Sequence, residues 1–214
     1  MNPGTPSKIQ KNDCTNGFPK NRFHEFQSIN NQIKPNSKII DLGCGTGDLL
    51  KYIKQTKPVK ETGIEINPVK INQCVSKGVS VIQSDLDQGL RYPKNSFDTV
   101  LIVDTLQTTN SPINVLEQAL KIGKKVILVF PNFAQIQVRL YLLAMGRMPK
   151  SKELPYEWHD TPNIHLFTIQ DMLNLCKKNG IKVHNEAYFD SGGNPLPNLF
   201  PNFFASKAML VLSK

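Results

Sequence analysis

Ile39-Ile40-Asp41-Leu42-Gly43-Cys44-Gly45-Thr46-Gly47-Asp48 reads as a buried strand that runs into a glycine turn and out into a helix. Glycines at alternate positions strip the side chains from a turn that must let another molecule lie against its backbone, and they open φ values closed to other residues. Thr46 or Gly47 then opens the helix carrying Leu49, Leu50 and Ile53. In an open α/β sheet, the carboxyl end of such a strand is where ligands bind. The spacing narrows the kind of ligand. A dinucleotide fingerprint is G-x-G-x-x-G, but counting from Gly43 and Gly45 the third glycine falls on Asp48, and counting from Gly45 and Gly47 it falls on Leu50. Asp41, two residues before the first glycine, suits a ligand with a positive centre or an ammonium group better than one carrying phosphates.

On the C-terminal side, Glu61 to Ile66 is the second strand and ends near Glu65, 18 residues after Gly47. An acid about 20 positions past the glycine turn accepts hydrogen bonds from ribose hydroxyls in nucleoside-binding folds; the plainer alternative is a solvated strand-end acid. Pro68 begins a helix, Val79 to Gln83 is the third strand, and the apolar run Phe97 to Asp104 is the fourth. A helix over Pro112 to Ile122 leads to the fifth strand, Lys125 to Phe130. Strands alternating with helices in this way predict a doubly wound parallel sheet. Upstream, Phe23, Phe26, Ile29 and Ile33 form one apolar face of a helix over Arg22 to Ile33, ended by Pro35. Downstream, a helix is expected over 133–144, Thr168 caps another through Lys178, Ile181 to Phe189 is a sixth strand, and Ala205 to Leu212 is the last. The proline-rich Ser191 to Pro201 predicts neither strand nor helix. Leu196, Leu199, Phe200, Phe203 and Phe204 either pack over the sheet or form a docking patch.

Length and charge set the outer limits. A chain of 214 residues fits one domain over 22–214, preceded by a flexible polar tail over 1–21. The net charge of +9 invites a nucleic-acid reading, but the 22 lysines and four arginines are scattered over every segment without interleaved aromatics. Cysteines at 14, 44, 74 and 176 form no C-x-x-C pair and the four histidines show no ligand spacing, so a reduced protein without a metal is expected. No apolar run resembles a signal peptide or a membrane span, which predicts a soluble, unexported chain.

The glycine turn resembles motif I of the class I methyltransferases, which bind S-adenosylmethionine (SAM). That resemblance implies an α/β fold with a doubly wound, mostly parallel, seven-stranded Rossmann-like sheet whose last strand runs antiparallel. It also implies a pocket for SAM or S-adenosylhomocysteine made by Asp41, Gly43, Cys44, Gly45, Gly47, Glu65, Ile66, Asp85 and Leu86. In related enzymes an acid at the place of Asp85 bonds the exocyclic amine of adenine, as donor and acceptor chemistry requires, while the next backbone amide, here that of Leu86, reads the ring. Asp87 is either part of this loop's chemistry or a plain loop acid.

Phe130-Pro131-Asn132-Phe133, the run RLYLLAMGRMPKSKELPYEWHDTPNIHLFT over 139–168, and the earlier DLGCGTG, GIEI and SDLD together resemble the MetW family of methionine-biosynthesis proteins. The likeness covers about residues 37–185 and implies a cytoplasmic bacterial protein that works with a MetX-type homoserine O-acyltransferase. A genuine small-molecule methyltransferase, with the 145–167 segment as substrate cap, is the alternative; RNA methylation has only the charge behind it. Within the cap, His159 and His165 are candidate general bases, with Tyr156, Glu157 and Asp160 near them in sequence. Equally, these polar groups serve a folded cap by bonding one another. Val103-Asp104-Thr105-Leu106-Gln107 lacks the Asn-Pro-Pro-Tyr type of sequence found in amino-methylating enzymes, and Cys44 reads as a small packing residue.

Overall fold

The computed structural model describes residues 22–151 and 155–214; the expected tail over 1–21, Cys14 and residues 152–154 of the expected cap lie outside the described residues. In chain order the elements are α1 (Phe23–Asn31), β1 (Lys38–Leu42), α2 (Asp48–Thr56), β2 (Lys60–Glu65), α3 (Pro68–Ser76), β3 (Val81–Gln83), β4 (Thr99–Val103), α4 (Pro112–Ile122), β5 (Val126–Pro131), α5 (Ile136–Met145), α6 (Ile169–Lys178), β6 (Lys182–Phe189), β7 (Pro195–Leu196), α7 (Pro201–Phe204) and β8 (Lys207–Ser213), with 3-10 turns at Leu86–Gln88 and Leu106–Thr108.

The strands form one sheet in the order β3-β2-β1-β4-β5-β8-β6-β7. The first five pair in parallel, and β8 pairs antiparallel to both β5 and β6. Successive side chains of a strand point to opposite faces, and the central strands use both faces for apolar burial. Ile40, Val100, Ile102 and Leu128 meet α4 and α6 on one side, while Ile39, Leu101, Ile127 and Val129 meet α1 and α2 on the other. A sheet covered on both faces needs near-continuous apolar strands, which is what β4 and β5 supply. Helix ends follow local chemistry. The Asn67 side chain accepts from the N–H groups of Val69 and Lys70 to start α3, and Thr168 with Asp171 forms a capping box on α6.

Several expectations shift at their edges. The third strand begins at Val81 rather than Val79, because the Val79 N–H closes α3 on the Cys74 carbonyl at 3.0 Å. The helix expected over 133–144 starts at Ile136. Buried Asn132 holds the preceding turn: its Oδ1 accepts from Ala134 N–H (3.1 Å) and Ile169 N–H (3.3 Å), and its Nδ2 donates to the Ala205 carbonyl (2.8 Å). The proline-rich loop contains β7, where no strand was expected, and its last residue, Pro201, starts the single turn α7. Pro195 is tolerated there because β7 is the sheet's edge, where a missing N–H breaks no ladder. The seven-stranded sheet therefore carries an eighth, two-residue edge strand. Leu199, Phe200, Phe203 and Phe204 are exposed, as are Leu140, Leu142, Leu143 and Met145 of α5.

Candidate functional site

The sheet's switch point lies between β1, which neighbours β2, and β4, which neighbours β5. At that crevice the glycine turn is pinned back onto β2 by the N–H groups of Gly43 and Cys44, which donate to the Ile64 carbonyl at 2.8 and 2.9 Å. Gly43 is required twice over, since its φ is +79° and a Cβ would sit 2.5 Å from the Thr105 side chain. At Gly45 a Cβ would meet nothing within 4 Å, so the turn opens there onto free space. Gly47 caps α2. Burial pushes the Cys44 thiol up, with Asp41, Cys74 and Glu65 adding to it, so it stays protonated and packs as a small residue.

That free space is a cavity of about 780 Å³, a size that suits a small-molecule ligand. Asp41, Gly43, Cys44, Gly45, Glu65, Ile66, Asp85 and Leu86 all line it, while Gly47 lies outside its wall. The structure thus brings together eight of the nine residues named for the pocket. Glu65 is held in place by three backbone N–H donors: Gly45 to Oε2 at 2.9 Å, and Ile66 and Asn67 to Oε1 at 3.0 and 2.9 Å. An ionised carboxylate has about four acceptor sites, which leaves capacity toward the cavity. Asp85 accepts from Asp87 N–H through Oδ1 at 2.9 Å. Asp87 is a loop tie, accepting from Asn110 and Ser111, and the Asn110 backbone N–H foremost holds its carboxyl below the usual range.

Asp41 is the outlier. It is 2 % exposed and its Oδ1 has no hydrogen-bond partner. Burial pushes its carboxyl up to about 7, against the pull of Arg22 and with a further push from Glu65. A buried unpaired carboxylate is costly, and an incoming ammonium or other cationic group would satisfy it.

Residues that the sequence reading did not assign to the pocket complete the wall. Arg22 and Asp104 line the cavity and pair at 2.9 Å. Behind them Arg22 binds Glu25, and Lys207 bridges Asp104 (2.7 Å) and Glu25 (3.3 Å). This quartet joins the start of α1, the end of β4 and the start of β8. Its one sequence signal is that Arg22 is an arginine in a chain that otherwise favours lysine. From the cap, Pro155, Tyr156, Pro162 and Asn163 close the cavity's outer side. Neither candidate histidine reaches it. His165 lines a small neighbouring cavity, and the exposed His159 stacks edge-on against Trp158. Among the described residues no group of three or more His, Cys, Asp or Glu is arranged to hold a metal, and no helix is long and apolar enough to cross a membrane.

This strand order, with a nucleoside-sized crevice above β1, β2 and β4, defines a protein of the class I SAM-dependent methyltransferase fold. Solved structures agree: a SAM-dependent methyltransferase of Thermotoga maritima superposes with a TM-score of 0.66 over 91% of both chains at 20% identity. Another from Archaeoglobus fulgidus superposes with 0.66 over 89% of this chain and 91% of that one at 15% identity. The cyclase SpnF shares the fold at 0.64 over 91% of this chain and 81% of that one, at 14% identity, so the fold alone does not name the reaction.

The chain belongs to the MetW family: the model described as methionine biosynthesis protein MetW matches residues 23–212. It is 31% identical over 200 residues to the bifunctional methionine biosynthesis protein MetXA/MetW of Rhodopirellula baltica, covering 88% of this chain and 32% of that protein. The chain therefore spans about a third of the length of that relative.

Proposed function

We propose that this MetW-family chain binds SAM or S-adenosylhomocysteine in the 780 Å³ cavity and works in methionine biosynthesis, in the cytoplasm, beside a MetX-type homoserine O-acyltransferase. The observation that carries the ligand is the orphaned Oδ1 of Asp41 in a cavity that also presents Glu65 and Asp85. These three acids fit the three donor groups of such a ligand. Glu65 would take the ribose hydroxyls, Asp85 the exocyclic amine with Leu86 N–H beside the ring, and Asp41 the α-ammonium. The bare Gly45 leaves room for the ligand against the turn. When bound, SAM supplies an activated methyl on a sulfonium. What this chain's residues contribute is binding, orientation and, through Tyr156 and Asn163, exclusion of water. The partner half of the reading is supported by the relative whose name joins MetXA and MetW in one chain.

S-adenosylhomocysteine at 100 times its dissociation constant should stabilise the protein by about 2.7 kcal/mol. The absence of any thermal shift would sink the ligand assignment. Glu65→Ala and Asp85→Ala should each reduce the shift, and a variant that binds as wild type removes that residue from the site. A second reading, methyl transfer to a small molecule, is favoured by the cap residues that close the cavity; it predicts transfer of radiolabel from SAM to a metabolite by this chain alone.

A further inference from the structure

Gln107 follows β4 in a single 3-10 turn and is 4 % exposed, yet its Oε1 has no hydrogen-bond partner. A second orphan lies beside it, the Nε2 of His165. Leaving a buried polar atom unpaired costs about 1–3 kcal/mol, so two in one place mark a water or ligand position. Both residues line one cavity, walled otherwise by Pro131, Phe133, Leu166 and Phe167, with a volume of about 10 Å³. That is about the room one water molecule needs. Gln107 also lines the large cavity, so this residue belongs to the partition between the two. Its backbone carbonyl accepts from the N–H groups of Ile164 and His165, at 2.8 and 3.0 Å. One residue thus touches the ligand cavity, the small cavity that holds the two orphaned atoms and the backbone of the cap.

We propose that Gln107 is a ligand-responsive latch for the cap: a single water bridges Gln107 Oε1 and His165 Nε2, and nucleoside binding tightens this bridge together with the two backbone bonds. The inference rests on the ligand assignment above. The water donates to the amide oxygen, which can only accept, and uses its remaining hydrogen or a lone pair for the imidazole nitrogen, whichever the tautomer requires. Ligand enters the linkage because the cavity has two walls of different origin. Gln107 and Thr105 come from the end of β4, and Tyr156, Pro162 and Asn163 come from the cap. A ligand in contact with both walls binds the closed cap better than the open one, and that difference is what shifts the population. Gln107 and His165 are therefore positioning residues.

Hydrogen exchange at the amides of Ile164 and His165 tests this, with every protein saturated by S-adenosylhomocysteine and compared with its free form. In wild type the ligand should slow exchange at these amides by about tenfold. Gln107→Leu and His165→Leu, which remove one end of the bridge but keep the backbone carbonyl, should bind the ligand at saturation without this slowing. His165→Gln, which restores a hydrogen-bonding group, should recover it. A thermal shift with ligand in each variant establishes that it is folded and occupied. Ligand-dependent slowing that persists in both leucine variants, or its absence from occupied wild type, overturns the latch alone. Failure of wild type to bind the ligand overturns the ligand assignment, and the latch with it.

Discussion

Lowering the pH from 8 to 5 should weaken binding of S-adenosylhomocysteine, because the proposed contact with its ammonium group needs the ionised form of Asp41. Burial pushes this carboxyl up to about 7, with Arg22 and Glu65 as the charges that face it. An ammonium brought within about 4–6 Å lowers an acid by about one to three units, so a bound ligand would pull this carboxyl back down. Ligand binding would therefore release up to about half a proton from Asp41 at pH 7 and more below it, and between the bound and free values each pH unit changes affinity tenfold, or about 1.4 kcal/mol. A lowering of about one to three units makes the loss over pH 8 to 5 about 10-fold to 100-fold. Calorimetric titration at each pH, in two buffers of different ionisation enthalpy, reads both the affinity and the proton released. Asp41→Asn should bind more weakly and show no slope over the same range. A flat profile in wild type, or an unchanged slope in Asp41→Asn, refutes the assignment of Asp41 to the ammonium.

The same carboxyl makes the free protein sensitive to pH in the opposite sense: the folded state keeps its proton up to about 7 against 3.8 for the ordinary group, so stability falls as pH rises from about 4 to 7 and then levels. Asp41→Asn should remove that decline and raise the stability of the ligand-free protein at pH 8, by about 4 kcal/mol at most, measured by urea unfolding. Gly43→Ala should destabilise by about 1–3 kcal/mol from its left-handed φ alone, and by more from the collision with Thr105; unfolding at wild-type urea concentrations would contradict this. Thr168→Ala, which breaks the α6 capping box, should cost about 1 kcal/mol and leave the thermal shift with S-adenosylhomocysteine unchanged.

The doubly wound order was legible because its signals are local. Alternating strands and helices, the three glycines after Asp41 and the spacing from Gly47 to Glu65 each lie within one supersecondary unit. Asp41 and Glu65 could be read from the same units, whereas Asp85 was named through the resemblance to methyltransferases; all three lie at or just past the ends of neighbouring strands. What was not legible depends on contacts distant in sequence. The quartet of Arg22, Glu25, Asp104 and Lys207 joins residues 182 apart. Asn132 delays α5 by bonding Ile169 and Ala205, partners that no periodicity reveals. The histidines illustrate the converse: proximity in sequence to Tyr156, Glu157 and Asp160 does not bring either ring to the cavity, since His165 is held where its backbone bonds the Gln107 carbonyl and His159 packs against Trp158. Edge strand β7 was missed for a different reason, since prolines argue against strands only where a ladder needs their N–H.

The proposed partnership with an acyltransferase is open to direct assay. Acyl transfer to homoserine should be measured with the MetX-type enzyme of the same organism, alone and with this chain added. The two proteins should co-purify, and the rate should rise with added chain to a plateau. An acyltransferase equally active with and without the chain, with no complex formed, while radiolabel passes from SAM into a small molecule, would contradict the partnership.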